Sequence, residues 1–155
     1  MLYATLKTLH LLSIILWVGG MVFAHFFLRP AVATLDPPVR LKLMHDVLGR
    51  FFAAVLVAST TALVTGLWMI GRVAKQAVQS GGVFQMPHSW WLMAVLGVLM
   101  VAIFGHIRFV LYKRLSVEVD TASWPAAGRA LNAIRQWVSV NLALGLLIVV
   151  VVLMA

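Results

Sequence analysis

Residues 89–111 read SWWLMAVLGVLMVAIFGHIRFVL, and this stretch decides the fold. It holds a single formally charged residue, Arg108, close to its end. About 20 consecutive apolar residues are enough for a helix to cross the hydrocarbon core of a bilayer, which is ~30 Å thick. The stretch therefore predicts a transmembrane helix, and the Lys113-Arg114 pair that follows it is typical of the end of a span.

Three other stretches reach a similar length. The predicted spans cover residues 3–28, 41–70, 89–111 and 133–154, and they are joined by connections of about ten, 15 and 20 residues. Asp36-Pro37 precedes the second span and is typical of an N-cap followed by the first helical turn. The first span is expected to remain as a helix, because no small-residue cleavage site follows it.

The composition points to the same class of protein. The chain is 63% hydrophobic and 10% charged, whereas a soluble domain is about half apolar and a quarter charged. Short connections make consecutive helices antiparallel neighbours. We therefore predict an all-α integral membrane protein, a single four-helix antiparallel bundle over residues 1–155 with no extramembrane domain.

Lysine and arginine are divided unevenly between the two predicted membrane faces. Only Lys7, Arg72 and Lys75 lie on the face of the termini and the second connection. The face of the first and third connections carries the other nine: Arg29, Arg40, Lys42, Arg50, Arg108, Lys113, Arg114, Arg129 and Arg135. The positive-inside rule then places both termini on the non-cytoplasmic side, in what we expect to be a bacterial inner membrane. The net charge of +8 reflects anchoring to membrane lipid, not nucleic-acid binding, because no soluble module presents the cations.

Five histidines lie inside or at the ends of the apolar stretches: His10, His25, His45, His88 and His106. Ionisable residues are expensive inside a bilayer, so they are candidate site residues. His88 and His106 are 18 residues apart, which is five helical turns of about 3.6 residues and a rise of roughly 27 Å. One helix face thus carries an imidazole near each membrane surface.

The depths of the histidines form two layers. His10 and His88 belong to the outer layer, and His25, His45 and His106 belong to the inner layer. Haem b in a helical bundle is held by one neutral imidazole from each of two facing helices, so we predict an outer site from His10 with His88 and an inner site from His45 with His106. The remaining predicted site residues are Trp17, which would flank the macrocycle, and Arg50, Arg108 and Arg135, which would hold its propionates. His25 is expected to hydrogen-bond headgroups or loop carbonyls.

Copper is the alternative cofactor. The chain has five His, eight Met and no Cys, and imidazole and thioether ligands suit Cu(I) and Cu(II). Met93 and Met100 share a helix face, but we interpret them as core packing. Ser59, Thr65 and Gly66 belong to a small-residue strip suited to close helix contact.

Several motifs resemble those of the CopD copper-resistance family of membrane proteins. They are KTLH at 7–10, WVGG at 17–20 and LRP at 28–30, followed by LGRFF at 48–52 and GH at 105–106. The opening motifs are also similar to those of HemJ, the family of four-helix haem-b protoporphyrinogen oxidases. The first resemblance implies a role with copper. The second implies that His10 is a haem ligand, although this chain has no Lys in the third span, where HemJ uses one, and offers Met93 or His88 instead.

The leading hypothesis is a membrane haem-b redox protein with one or two haems. It would take electrons from a quinol or another redox partner, or oxidise a porphyrin-like substrate, so whether it is an oxidoreductase enzyme is left open. The second hypothesis is a copper-handling membrane protein of the CopD type. The third is a structural subunit of a membrane complex. Association into a homo-oligomer is also left open.

Overall fold

The computed structural model describes residues 1–154, and four long helices account for most of them. We name the helices α1 (Leu2–Ala31), α2 (Pro37–Gln79), α3 (His88–Asp120) and α4 (Trp124–Met154). All four are long and apolar enough to cross a membrane, and residues 1–154 contain no strand. The predicted all-α four-helix membrane bundle is confirmed.

Consecutive helices pack against each other in antiparallel fashion. α1 packs mainly against α2 and α3 against α4, while α4 also contacts α1 and α2. The loops 32–36 and 121–123 therefore lie at one end of the bundle, which we call the arginine-rich end. The loop 80–87 and both termini lie at the opposite end, which we call the terminal end. The positive-inside rule predicts that the arginine-rich end faces the cytoplasm.

Aromatic rings fill the centre of the bundle. The Trp17 ring meets Phe104 edge-on at 5.9 Å between centroids, and Phe52 meets Phe104 at 6.0 Å. Ser13, Trp17 and Met21, spaced four residues apart, are buried on the face of α1 that points into the bundle. Large apolar side chains on the outside of the bundle are exposed, which is the distribution expected where lipid is the solvent.

The helices are longer than the predicted spans, most clearly at the arginine-rich end. α3 continues nine residues beyond Leu111, and Leu115 and Val119, four residues apart, are buried there. α4 begins at Trp124, and Ala127 and Ala130 are buried in its first turns. The other faces of these extensions carry polar residues, which lower the average hydropathy of the segment. Hydropathy therefore underestimates the length of α3 and α4, although one face of each extension packs against a neighbouring helix.

Two turns of the helices are wound more widely than an α-helix. They are the π-helical turns Ala24–Leu28 in α1 and Ile107–Leu111 in α3. Such turns are rare and occur frequently at functional sites. The start of α2 is as predicted: Asp36 is the N-cap, and its backbone oxygen accepts from the Arg40 amide at 2.9 Å.

Candidate functional site

An apolar cavity of about 250 Å³ opens within the terminal half of the bundle. All four helices contribute to its wall, and aliphatic side chains make up most of it. The residues able to bind a ligand or flank one are His10, Trp17, Ser59, Met93 and Met100. We call this space the terminal-end cavity.

His10 is held in this cavity by one ring nitrogen. Nδ1 lies 2.9 Å from the backbone oxygen of Ala62 and 3.2 Å from Oγ1 of Thr65. A carbonyl oxygen only accepts hydrogen bonds, so Nδ1 must carry the proton. In the neutral ring, Nε2 then keeps its lone pair, and among residues 1–154 it has no hydrogen-bond partner. Metal-ligating imidazoles are oriented in this way, with the second nitrogen bound to a carbonyl.

Two glycines leave space for the side chains of His10 and Met100 in the cavity wall. A Cβ on Gly66 would lie 3.2 Å from Cε1 of His10, and a Cβ on Gly145 would lie 3.2 Å from Cε of Met100. Both contacts would be tight, so these glycines let α2 and α4 approach the two candidate ligands. Gly97 also lines the cavity, but a Cβ there would meet no atom within 4 Å.

The other predicted outer ligand, His88, lies apart from the terminal-end cavity. It is the first residue of α3, directly after Pro87, and its side chain is exposed. It does not line the cavity that His10 lines. The pairing of His10 with His88 therefore stays a prediction, and the cavity offers the thioethers of Met93 and Met100 in its place.

The two predicted inner ligands have separate surroundings. Nε2 of His45 lies 2.9 Å from Oγ of Ser116, and its ring stacks on Tyr112 with 5.1 Å between centroids. His106 is exposed and packs against Trp137. Among residues 1–154, no group of three or more His, Asp or Glu side chains is arranged to hold a metal ion.

The arginines predicted to hold propionates also have other surroundings. Arg50 is exposed. The Arg108 guanidinium lies over the Tyr112 ring at 5.2 Å, and its buried Nε has no hydrogen-bond partner among residues 1–154. Neither side chain lines the terminal-end cavity.

Asn141 is buried in α4 and only 1% exposed. A buried amide in a transmembrane helix is expected to hydrogen-bond to a neighbouring helix, but its Oδ1 has no partner within residues 1–154. Asn141 lies one turn before Gly145, close to the level where the terminal-end cavity ends.

A second cavity, of about 310 Å³, lies at the arginine-rich end between α1, α2 and α4. His25 lines it with Arg29, Arg40 and Arg135, and Nδ1 of His25 lies 3.4 Å from Oγ of Ser139. We call it the arginine-lined cavity. The convergence of the three arginines could not be predicted from the sequence, because Arg40 and Arg135 are distant along the chain and positive-inside anchoring already accounts for all three.

The protein is therefore a multi-pass membrane four-helix bundle with an apolar cavity that offers one imidazole and two thioethers. A family model described as copper resistance protein D, CopD, matches residues 45–155. The match covers most of the chain, so the protein belongs to the CopD family. No curated protein and no solved structure gives a significant match.

The matched region contains the LGRFF and GH motifs, and α1 with His10 lies before it. The likeness of the opening motifs to HemJ rests on residues of α1 and stays a prediction.

Proposed function

We propose that this protein handles copper in the membrane and that the terminal-end cavity holds Cu(I) as its cargo. His10 would bind the ion through Nε2, and Met93 and Met100 would complete a three-coordinate site with their sulfur atoms. The observation that carries the proposal is the fixed tautomer of His10, whose Nδ1–H is engaged by Ala62 within the same cavity that Met93 and Met100 line.

The chemistry of the donors favours Cu(I). Imidazole and thioether are neutral ligands, and soft thioethers select Cu(I) among the biological metals. A site with neutral donors leaves a single positive charge in an apolar wall, whereas a divalent ion would leave two and cost far more to desolvate. Membership of the CopD family supports the same metal.

The position of the cavity in the bundle bears on the side of the membrane from which copper would enter it. It lies in the terminal half of the bundle, which is the non-cytoplasmic half by the positive-inside rule. Copper would therefore be taken up from the non-cytoplasmic side. The three arginines at the opposite end would repel a cation that had crossed the bundle.

Haem b remains a second candidate for the same cavity, because a His oriented by a carbonyl and a wall of apolar residues with Trp17 also suit a haem. The residues that would hold the haem are then His10 and a methionine of α3. His/Met ligation is found in cytochromes c.

The test is copper and haem content of the full chain purified in detergent. The protein is loaded anaerobically with Cu(I), washed, and assayed by metal analysis and by the pyridine haemochrome spectrum. We expect about one copper per chain, no haem, and loss of most copper in His10→Ala, since His10 is the one imidazole among the three proposed ligands. A stoichiometric b-type spectrum would favour haem instead.

Two further variants separate a binding role from a folding role. Gly97→Leu fills the terminal-end cavity from a position where an added Cβ meets nothing within 4 Å, so it should fold and lose copper. His106→Ala removes an exposed imidazole that packs on Trp137 and should bind copper like the wild type. Full copper binding by both His10→Ala and Gly97→Leu would remove the assignment of the site.

A further inference from the structure

The arginine-lined cavity concentrates positive charge from three helices. Arg29 lies near the end of α1, Arg40 in the first turn of α2 and Arg135 in the half of α4 at the arginine-rich end, about three turns after its start. No acidic residue is among the described residues that line the cavity. The four acidic residues of the chain all lie toward this end of the bundle, but none of them lines the cavity: Asp36, Asp46, Glu118 and Asp120.

The three guanidinium groups have few partners in the protein. Nη1 of Arg40 donates to the backbone oxygen of Ala33 at 3.3 Å, which occupies one of its donors. The ion pair found within residues 1–154, His45 with Asp46, involves none of the three. Like charges that converge on one cavity repel each other unless an anion lies between them.

The wall of the cavity has two parts of different character. The arginines, His25 and Asn132 form its polar part. Leu41, Leu48, Ile134 and Val138 are all buried side chains and form an apolar part. A ligand that fits both parts has a negatively charged head and an apolar body.

We propose that the arginine-lined cavity is a binding site for a phosphate-bearing anion, supplied by the headgroup of an anionic phospholipid. Guanidinium groups bind phosphate oxygens in bidentate fashion, which lysines do not. Basic pockets between transmembrane helices at the cytoplasmic side are where such headgroups bind. The π-helical turn Ala24–Leu28 belongs to the same site, because it carries His25 on the cavity wall.

The site is independent of the proposed copper site. It lies at the opposite end of the bundle, and the two cavities share no lining residue. Loss of anion binding should therefore leave copper binding unchanged, and the two proposals can fail separately.

The test is binding by the full chain in a neutral detergent, measured by native mass spectrometry. Phosphatidylglycerol, phosphatidylcholine and inorganic phosphate are titrated separately. We expect one phosphatidylglycerol per chain, bound at least about tenfold more tightly than phosphatidylcholine, because each lost charge-assisted hydrogen bond is worth about a factor of ten or more. Arg135→Gln should weaken this binding by about tenfold.

Two matched variants make the result specific to the cavity. Arg72→Gln removes the same charge from an exposed position at the terminal end and should bind phosphatidylglycerol like the wild type. Gly128→Leu keeps every charge but fills the cavity, since an added Cβ there meets nothing within 4 Å, and it should weaken binding as Arg135→Gln does.

Each outcome decides the proposal. Tight phosphatidylglycerol binding that only the two cavity variants weaken supports a lipid site. Saturable binding of inorganic phosphate with the same variant pattern supports a phosphate site filled from solution. Equal loss of binding in Arg135→Gln and Arg72→Gln, or no preference for phosphatidylglycerol and no phosphate binding, overturns the proposal.

Discussion

Two helix ends of this protein have the same hydrogen-bond pattern but different residues at its left-handed position. After α2, the Gly82 amide donates to Ala77 and the Gly81 amide to Val78, at 3.0 and 3.1 Å. After α3, Ser123 donates to Glu118 and Ala122 to Val119, at 2.9 and 3.1 Å. Both are Schellman motifs, in which the residue after the C-cap has a positive φ.

The residue at that position has a φ of +77° where it is Gly81 and +54° where it is Ala122. Glycine adopts this conformation without steric cost, while an L-residue with a Cβ loses roughly 1–2 kcal/mol there. Ala122 is therefore a strained position in an otherwise regular helix end.

Exchanging the two residue types should change stability in opposite directions. We expect Ala122→Gly to raise the free energy of unfolding by about 0.5–1 kcal/mol, because part of the relief is offset by the greater backbone entropy of glycine in the unfolded chain. Gly81→Ala should lower it by about 1 kcal/mol. Unfolding in detergent with increasing dodecyl sulfate, followed by circular dichroism, measures both. A change of the same sign in the two variants would contradict the assigned helix ends.

At the scale of the helices, adjacent glycines in α1 have opposite surroundings. Gly20 faces α2, where the ring of Phe51 occupies the space that a Cβ on Gly20 would take. Gly19 is exposed, and a Cβ there would meet no atom within 4 Å. Close approach of backbones at small residues is a main source of helix association in membranes, where hydrophobic burial contributes little.

The two glycines provide a matched test of the α1–α2 contact. Gly20→Ala should lower the free energy of unfolding by about 1–3 kcal/mol, since Phe51 must move to admit the methyl group. Gly19→Ala makes the same chemical change beside it and should leave stability equal or slightly higher. Adding Phe51→Leu to Gly20→Ala should restore part of the loss, measured in the same unfolding titration. Equal effects of the two single variants would mean that this contact does not limit the packing of α1.

The sequence predicted these helices well because hydropathy reports which segments avoid water. It identified all four helices and the N-cap Asp36. It missed the helical residues beyond Ile70, beyond Leu111 and before Ala133. Hydropathy averages over all faces of a helix, so it cannot detect a polar segment in which one face, such as Leu115 and Val119, is still buried.

The candidate sites were harder to predict because they depend on which helices are neighbours. The spacing of His88 and His106 places them on one face of a helix, but it does not predict whether an imidazole of another helix lies opposite. In the structure both side chains are exposed. The position of His10 inside the bundle was predictable from its depth in the first span. The role of Gly66 and the convergence of the arginines were not, since both need the packing of separate helices.

For the whole molecule, the two cavities differ in chemistry as well as in position. One is apolar with neutral donors of His and Met, and the other carries three arginines. If the terminal end is non-cytoplasmic, the first cavity lies in the half of the bundle from which we propose that copper enters. The second then lies at the cytoplasmic leaflet. The side from which copper would enter and the leaflet that would supply the lipid therefore depend on the orientation that the distribution of cations predicts.

The absence of cysteine from the sequence allows this orientation to be measured directly. A single cysteine is introduced at Gln85, which is exposed in the loop at the terminal end, or at Thr34, which is exposed in the first loop at the arginine-rich end. Each variant is expressed in bacterial cells whose outer membrane has been made permeable, and the cells are treated with a maleimide that does not cross the inner membrane. We expect Gln85→Cys to be labelled in intact cells and Thr34→Cys only after the membrane is disrupted, because nine of the 12 cations lie on the side of Thr34. Labelling in the opposite order would place the His10 cavity toward the cytoplasm, and uptake of copper from outside would no longer be possible through it.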